Sequence, residues 1–240
     1  MGERADRGLL EAMQGRATAT AGDFGPQEVA NVLWALAVMG EGVDGSLDGL
    51  IDRLAARVPE FCDQFTKEAK SQLHQWLLSC ELDLVSGAYF PSGVARVKQE
   101  MGKDCLQAFS GQATHDSQLQ RDVAAVLRRA VSEVEIKEEY RDARSGHSID
   151  VLVRRRSAAG STEWAVEVDG PTHFLGGGRT PNGSTLLKRK QLGQMGYTVV
   201  PVPFWEWDAL RGEEAKRRYL VDKLGWVSEM VGGGRDRPTA

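Results

Sequence analysis

The sequence predicts an α-helical, repeat-like region followed by an α/β domain with a small mixed sheet, in the order α-β-β-β-α-β-α. Three observations predict it. Between residues 25 and 85, apolar residues recur at three- and four-residue spacing, the period of a helix face. After residue 117, three successive segments alternate with period two, the period of a strand. A Gly-rich stretch, Gly176-Gly177-Gly178, then returns the pattern to helix, strand and helix. The 240 residues are 41% hydrophobic and 27% charged, enough for a packed core in one large domain or two small ones. No apolar run approaches the roughly 18 residues that would predict a membrane span.

Residues 1–24 are polar, with Leu9, Leu10 and Met13 the only helical hint, and are expected to be disordered or partly helical. The helical region covers 25–85. Pro26 suits a first helical position and Glu28 the first turn, where the helix dipole favours an acid. Val29, Val32, Leu33, Leu36 and Met39 then share a face, and Gly40 ends the helix. A second helix runs from Leu47 to Val58, through Leu47, Leu50, Ile51 and Leu54, and stops at Pro59. A third, from Thr66 to Cys80, aligns Leu73, Trp76, Leu77 and Cys80. Helices of about 12–15 residues are marginal alone, so these require neighbours. Ser86-Gly87, Pro91-Ser92-Gly93 and Ser110-Gly111 mark 86–116 as a linker with a short helix from Val94 to Ala108.

The α/β domain covers 117–227. Ser117 is placed to cap a helix whose face is Leu119, Val123, Val126, Leu127 and Ala130. Strands follow at Val134–Tyr140, Ser148–Val153 and Trp164–Asp169. A helix from Ser184 to Met195 stops at Gly196, Tyr197–Val202 reads as the fourth strand, and Glu213–Leu224 as the last helix. The Gly-rich end, 228–240, is expected to be disordered.

The net charge of -4 removes the simplest argument for nucleic-acid binding, which needs a basic chain. Only a local basic patch could supply it. Cys62, Cys80 and Cys105 are far apart, with no CxxC pair, so neither a zinc ribbon nor a secreted disulfide framework is expected. The start of the chain lacks an apolar signal segment and is too acidic for a good transit peptide. The expectation is either a cytosolic protein or the C-terminal piece of a longer precursor.

The chemistry-bearing residues cluster after residue 148. With period two, Ala165, Glu167 and Asp169 face one side and Trp164, Val166 and Val168 the other. The two carboxylates lie roughly 6.5 Å apart along the strand. Asp150, on the preceding strand, is a cross-strand candidate. Three converging carboxylates repel unless a cation sits among them, and Mg²⁺ prefers such oxygen ligands. A metal-bound water there would attack a phosphodiester. Acids alternating with apolar residues are equally the pattern of any half-exposed strand. Arg179, Lys188, Arg189 and Lys190 form a basic cluster that suits phosphate contacts or an ordinary solvated face. Trp205 and Trp207 flank Glu206 after the fourth strand, placed for base stacking or for packing. Gly178, Gly183, Ser184 and Thr185 echo a phosphate loop without its lysine, so no small-molecule cofactor is expected.

Phe24-Gly25-Pro26-Gln27-Glu28-Val29-Ala30-Asn31-Val32-Leu33-Trp34-Ala35-Leu36-Ala37 resembles an octotricopeptide-type repeat, or the related helical region of FAST-kinase-like proteins. From about Gln118 to Leu224 the chain resembles the RAP domain. The likeness lies in Ser148-Ile149-Asp150-Val151, in Val166-Glu167-Val168-Asp169-Gly170-Pro171-Thr172-His173-Phe174, in Thr185 to Leu192 and in Gly196 to Trp207. This resemblance implies a factor for RNA processing, stability or translation in the chloroplast or mitochondrion, acting on single-stranded organellar transcripts. It also implies a restriction-endonuclease-like fold, related to very-short-patch-repair-type nucleases of the PD-(D/E)xK class. By position, Asp150 and Glu167 match the two acids of that nuclease motif. Asp169 stands where the motif usually has Lys, and His173, Lys188 or Lys190 would have to substitute. Three functions follow as expectations: an RNA-binding factor, a Mg²⁺-dependent endoribonuclease, or a non-catalytic adaptor for protein partners.

Overall fold

A computed structural model describes residues 7–40, 47–85, 92–112, 117–158 and 160–226. The expected disordered tail at 228–240 and the ends of the expected linker, 86–91 and 113–116, lie outside the described residues. The elements are α1 (Arg7–Thr20), α2 (Pro26–Met39), α3 (Asp48–Arg57), α4 (Lys67–Val85), α5 (Ser92–Ser110), α6 (Gln118–Ala130), β1 (Glu135–Arg141), β2 (Ser148–Ser157), β3 (Gly160–Asp169), α7 (Gly183–Gln194), β4 (Thr198–Pro203), α8 (Phe204–Ala209) and α9 (Gly212–Lys223). They fall into two compact units, each built from separate stretches of chain.

The helical unit comprises Met1–Thr114, Arg141–Ser148 and Thr172–Gly196. α2 begins as its sequence predicts, with Pro26 in the first turn, and ends at Gly40, whose left-handed backbone (φ 70°) returns its amide to the carbonyl of Ala37. Its buried face, Val29, Ala30, Leu33, Leu36 and Ala37, packs chiefly against α4. Leu54, Leu73, Trp76 and Leu187 complete this core. The stretch expected to be a linker supplies part of it. α5 buries Val94, Val97, Met101 and Cys105 at helical spacing and packs on α3 and α4. The helix expected from Val94 to Ala108 is therefore longer than predicted and belongs to the core, which the Gly and Ser at its two ends concealed. The polar start of the chain is also helical, as α1. Arg57 holds the turn that follows, with Nη1 donating to the carbonyls of Ala21, Gly22 and Phe24 at 2.8, 2.8 and 2.7 Å.

α7 belongs to this same unit, where it packs on α2 and α4. The sequence pattern places it instead within the α/β domain at 117–227, which the division of the chain corrects. Gly183 explains the close approach, because a Cβ there would lie 2.8 Å from Val38 Cγ1.

The second unit comprises His115–Tyr140, Ile149–Pro171 and Tyr197–Ala240. Its sheet has the order β1-β2-β3-β4. β2 and β3 run antiparallel, from Val151 opposite Val166 to Ser157 opposite Gly160. β3 and β4 run parallel, from Trp164 opposite Thr198 to Asp169 opposite Pro203. The sheet is therefore small and mixed, as predicted. One face carries Val151, Val153, Trp164, Val166, Val168, Val200 and Val202, packed with Val123, Val126 and Leu127 of α6 and Leu220 of α9. Both hairpin strands outrun their predicted lengths. Arg154-Arg155-Arg156 has no apolar alternation, so only the ladder to Gly160–Glu163 makes it a strand. α8 was not anticipated. Pro203 precedes it and Glu206 sits in its first turn, both ordinary helix-start signals.

The turn at 142–147, in the helical unit, requires glycine. Gly146 has φ 74°, and a Cβ there would lie 2.9 Å from Leu106 Cδ1 and 3.2 Å from Phe109 Cδ1. Gly40 has a similar φ and open surroundings. Gly146→Ala is therefore expected to cost about 2–3 kcal/mol and Gly40→Ala about 1 kcal/mol, read from urea unfolding midpoints. Equal losses would refute the steric contribution at Gly146.

Candidate functional site

The strand register decides where the predicted carboxylates go. Val151 pairs with Val166 and Val153 with Trp164 on the core face, so Asp150, Glu167 and Asp169 share the opposite parity, as the period-two reading required. Their surroundings differ from expectation. Asp150 lies just beyond the last β2–β3 pair, and its Oδ2 accepts the backbone N–H of Val168 at 2.7 Å. The carboxylate thus stands in for a missing ladder bond. Glu167 and Asp169 are only 3% and 1% exposed, and every residue from Trp164 to Asp169 is buried. Among the described residues, no group of three or more His, Cys, Asp or Glu side chains is placed to hold a metal ion. The expected Mg²⁺ ligand set of Asp150, Glu167 and Asp169 has suitable donor chemistry but is not arranged as a site. The reason is that the strand is buried on both faces, not half-exposed, and Asp150 serves the backbone.

His173 and the predicted basic residues Arg179, Lys188, Arg189 and Lys190 lie in the helical unit, on α7 and the loop before it. Asn182 caps α7, its Oδ1 accepting Thr185 N at 2.9 Å and Ser184 Oγ at 2.8 Å while its Nδ2 donates to Thr172 O at 2.9 Å. Backbone bonds from Leu175 to Thr180, Gly178 to Leu175 and Asn182 to His173 tie the loop together. Arg179 projects from it, exposed. His173 is half-buried beside the start of α7, with Nδ1 3.4 Å from Thr185 Oγ1. That is the placement of a turn histidine.

Gln191 fixes how α7 is rotated about its axis. It is fully buried, and its Nε2 donates to Gln75 O at 2.7 Å and Ser79 Oγ at 2.8 Å. Its Oε1 lies 2.8 Å from His147 Nε2. Since the amide nitrogen is committed, Oε1 must accept, and His147 carries its proton on Nε2. The ring of Phe109 sits 5.0 Å from both His147 and His74, and His74 Nε2 donates to Ser145 O at 2.7 Å. Burial, with nearby Lys188 and His74, pushes His147 down to about 4. Burial likewise lowers His74. With α7 so fixed, its cations have different fates. Lys190 is 3.3 Å from Asp83, which also accepts from Gln194 Nε2 at 2.7 Å. Lys188 and Arg189 are half-buried. The predicted basic cluster is therefore one exposed loop arginine and a partly committed helix face.

The two tryptophans separate. Trp207 is 2% exposed, donates Nε1 to Asp122 Oδ2 at 2.9 Å, and has the Lys216 ammonium 4.8 Å over its ring. It offers no face for a base, which corrects the stacking role expected of it. The hydrogen bond from Lys216, more than that from Trp207, holds the Asp122 carboxyl below the usual range. Trp205 is half-buried, edge-on to Phe204 at 5.2 Å. Sequence reasoning missed Gln191, His147, Asp83 and Asp122. Only the polar Gln191 interrupting the otherwise apolar i, i+4 stripe through Leu187 signalled any of them.

Residues 166–223 match the family model of the RAP domain. Among curated proteins, a rice (Oryza sativa subsp. japonica) RAP domain-containing protein, chloroplastic, is 38% identical over 65 residues, 27% of this chain and 10% of that protein. A mouse (Mus musculus) Fas-activated serine/threonine kinase is 42% identical over 52 residues, 22% of this chain and 10% of that protein. The matches thus span about a tenth of the length of these relatives.

Two outcomes follow from these placements. His147 titrates near 6.5 when unfolded and at about 4 when folded, so the unfolded chain takes up its proton first. Stability is complete above the unfolded value and falls with pH between those two points, by about 3 kcal/mol for this group. Urea unfolding across that window should show the loss, and His147→Gln should flatten it. A pH-independent midpoint would refute the buried neutral ring. Asp150→Ala strands the Val168 amide and should cost about 1–3 kcal/mol, while Asp150→Asn retains an acceptor and should cost less. Equal costs in thermal unfolding would remove the ladder role.

Proposed function

We propose that this chain is an RNA-binding factor, acting through its RAP domain on single-stranded transcripts in organellar RNA processing, stability or translation. The match over residues 166–223 carries this reading. The organelle is the chloroplast by analogy with the rice relative's designation. Two features support RNA contact. Arg179 stands exposed on a loop held by its own backbone bonds, followed by Lys188 and Arg189 on α7. In the same unit, α2 and α4 present amide side chains. Gln27 donates to Asn31 at 2.9 Å and to Gln72 at 3.2 Å, and Trp34 Nε1 to Gln75 at 3.4 Å. Exposed amides exchange such partners readily for base edges, which is how helical repeats read single strands.

Binding, not cleavage, is the proposed activity. The succession of helices and strands supports a restriction-endonuclease-like core, but a PD-(D/E)xK reaction would need Asp150, Glu167 and Asp169 to share a cation. Asp150 is engaged with Val168 N, and Asp169 offers no positive charge to the attacked phosphate. The adaptor reading has no comparable support among the described residues.

The test is fluorescence anisotropy with a labelled single-stranded RNA of about 20 nucleotides, titrated at low and high salt. Affinity should fall with salt, with a log–log slope near -0.7 per phosphate contacted. Arg179→Glu should weaken binding roughly tenfold at low salt. Absent affinity, or affinity unchanged by salt, would sink the reading. In parallel, labelled RNA incubated with Mg²⁺ should remain intact for both the wild type and Asp150→Ala. Cleavage by the wild type alone would replace binding with catalysis.

A further inference from the structure

The β2–β3 hairpin extends past the rest of the sheet. β4 joins β3 only from Trp164 onward, so the edge of β3 from Ser161 to Glu163 lies beyond that ladder. A depression of about 390 Å³ opens on this extension, lined by Arg154, Arg156, Gly160, Ser161 and Glu163. The register pairs Arg154 with Glu163 and Arg156 with Ser161, so these side chains share one face. Among the described residues, the side chains that line it belong to Arg154, Arg156, Ser161 and Glu163, all polar or charged.

The charges on this face do not cancel. Glu135 takes Lys137 at 2.7 Å and Arg154 at 3.0 Å, and Glu163 takes Arg154 as well. Two cations and two carboxylates are thus mutually neutralised. Arg156 is exposed and makes no hydrogen bond or ion pair among the described residues, and the same holds for the Ser161 hydroxyl opposite it. An unmatched guanidinium fork beside a hydroxyl donor suits an anion with several oxygens. Arginine presents paired N–H donors to phosphate with matching geometry.

We propose that this depression is a binding site for a phosphate group, held by Arg156 and Ser161 at the tip of the β2–β3 hairpin. The volume accommodates a phosphate together with its sugar. The RNA-binding reading supplies the source, a phosphodiester of the bound strand. The site itself would equally take a free phosphate. Arg154, held between Glu135 and Glu163, already pairs both acids.

The experiment uses the full chain, labelled with nitrogen-15, and two probes: inorganic phosphate and the single-stranded RNA above. Phosphate should shift the amide resonances of Gly160 and Ser161 in the wild type, and the shifts should vanish in Arg156→Gln. RNA should bind Arg156→Gln about fivefold more weakly, with the salt slope reduced by about 0.7. Ser161→Ala should lower RNA affinity by a smaller factor. Shifts with phosphate, but equal RNA affinity in wild type and variant, would support the site with free phosphate as its ligand. Shifts with phosphate in a wild type that binds no RNA would support the site while sinking the RNA reading. RNA bound equally by both proteins, with no phosphate-induced shift at Gly160 or Ser161, would overturn the site and leave the RNA reading standing. A spectrum of Arg156→Gln that otherwise overlays the wild type shows that the fold is kept.

Discussion

Gln191 sits with no exposed surface between α7 and α4, and it must satisfy donors and acceptors on both sides at once. Burying an amide without partners costs several kcal/mol, so such a residue persists only where the geometry is met. Here Gln75 O, Ser79 Oγ and His147 Nε2 meet it. The consequence is directional. Leucine packing alone would let α7 rotate or slide on α2, because apolar contacts are adaptable. A three-partner amide admits one rotation. That rotation carries Lys190 to Asp83, buries Leu187 and leaves Ser184 and Leu186 outward. The network reaches further through His147, which fixes the 142–147 turn against Phe109. Asp142 organises the same turn, accepting Ser145 N at 2.9 Å, Ser145 Oγ at 3.0 Å and Arg144 N at 2.9 Å.

The sheet unit applies the same rule with carboxylates. Asp122 joins α6 to α8 and α9 by accepting from Trp207 Nε1 and Lys216 Nζ. Glu206 joins α8 to α9 by accepting from Tyr219 at 2.7 Å while lying 3.0 Å from Lys223. Asp150 closes a gap in the β2–β3 ladder. A small sheet of this kind has little apolar area to spare, and charge-assisted hydrogen bonds are roughly twice as strong as neutral ones. Acids that alternate along a strand are therefore ambiguous in the sequence. They can face solvent, hold a cation or complete the fold, and the third use removes the residue from the second.

Much of the architecture was legible because it rests on period. The faces of α2, α3, α4 and α6 follow three- and four-residue spacing, and the parity of Trp164, Val166 and Val168 against Glu167 and Asp169 follows from strand geometry. What failed has a common cause. The helix Val94–Ala108 is legible from its stripe, but its place in the core of the helical unit is not, because Gly, Ser and Pro at its ends give it the look of a linker helix. The extension of β2 through Arg154, Arg155 and Arg156 has no alternation to detect, since its pairing is supplied by β3. Trp207 was placed at a strand end because α8 is too short to show a period. The partners of Gln191, His147 and Asp122 are far away in the chain, as with the 85 positions between Asp122 and Trp207, and no local pattern encodes them.

The net charge of -4 makes the distribution of cations the decisive quantity for any anionic partner. Phosphate contacts contribute through counterion release, and a cation already paired with a carboxylate releases little. Lys190, Lys216, Arg154 and Arg128 are all committed to acids within the fold. Arg156 in the sheet unit stands outside these pairs, and Arg179 in the helical unit is exposed on its loop. A surface of that kind binds weakly through charge alone. Its specificity must come from neutral groups, and the amides of Gln27, Asn31 and Gln72 are the donors and acceptors that the helical unit presents for it. With these cations paired inside the fold, the proposed reading of a single strand draws on shape and base edges as well as on charge.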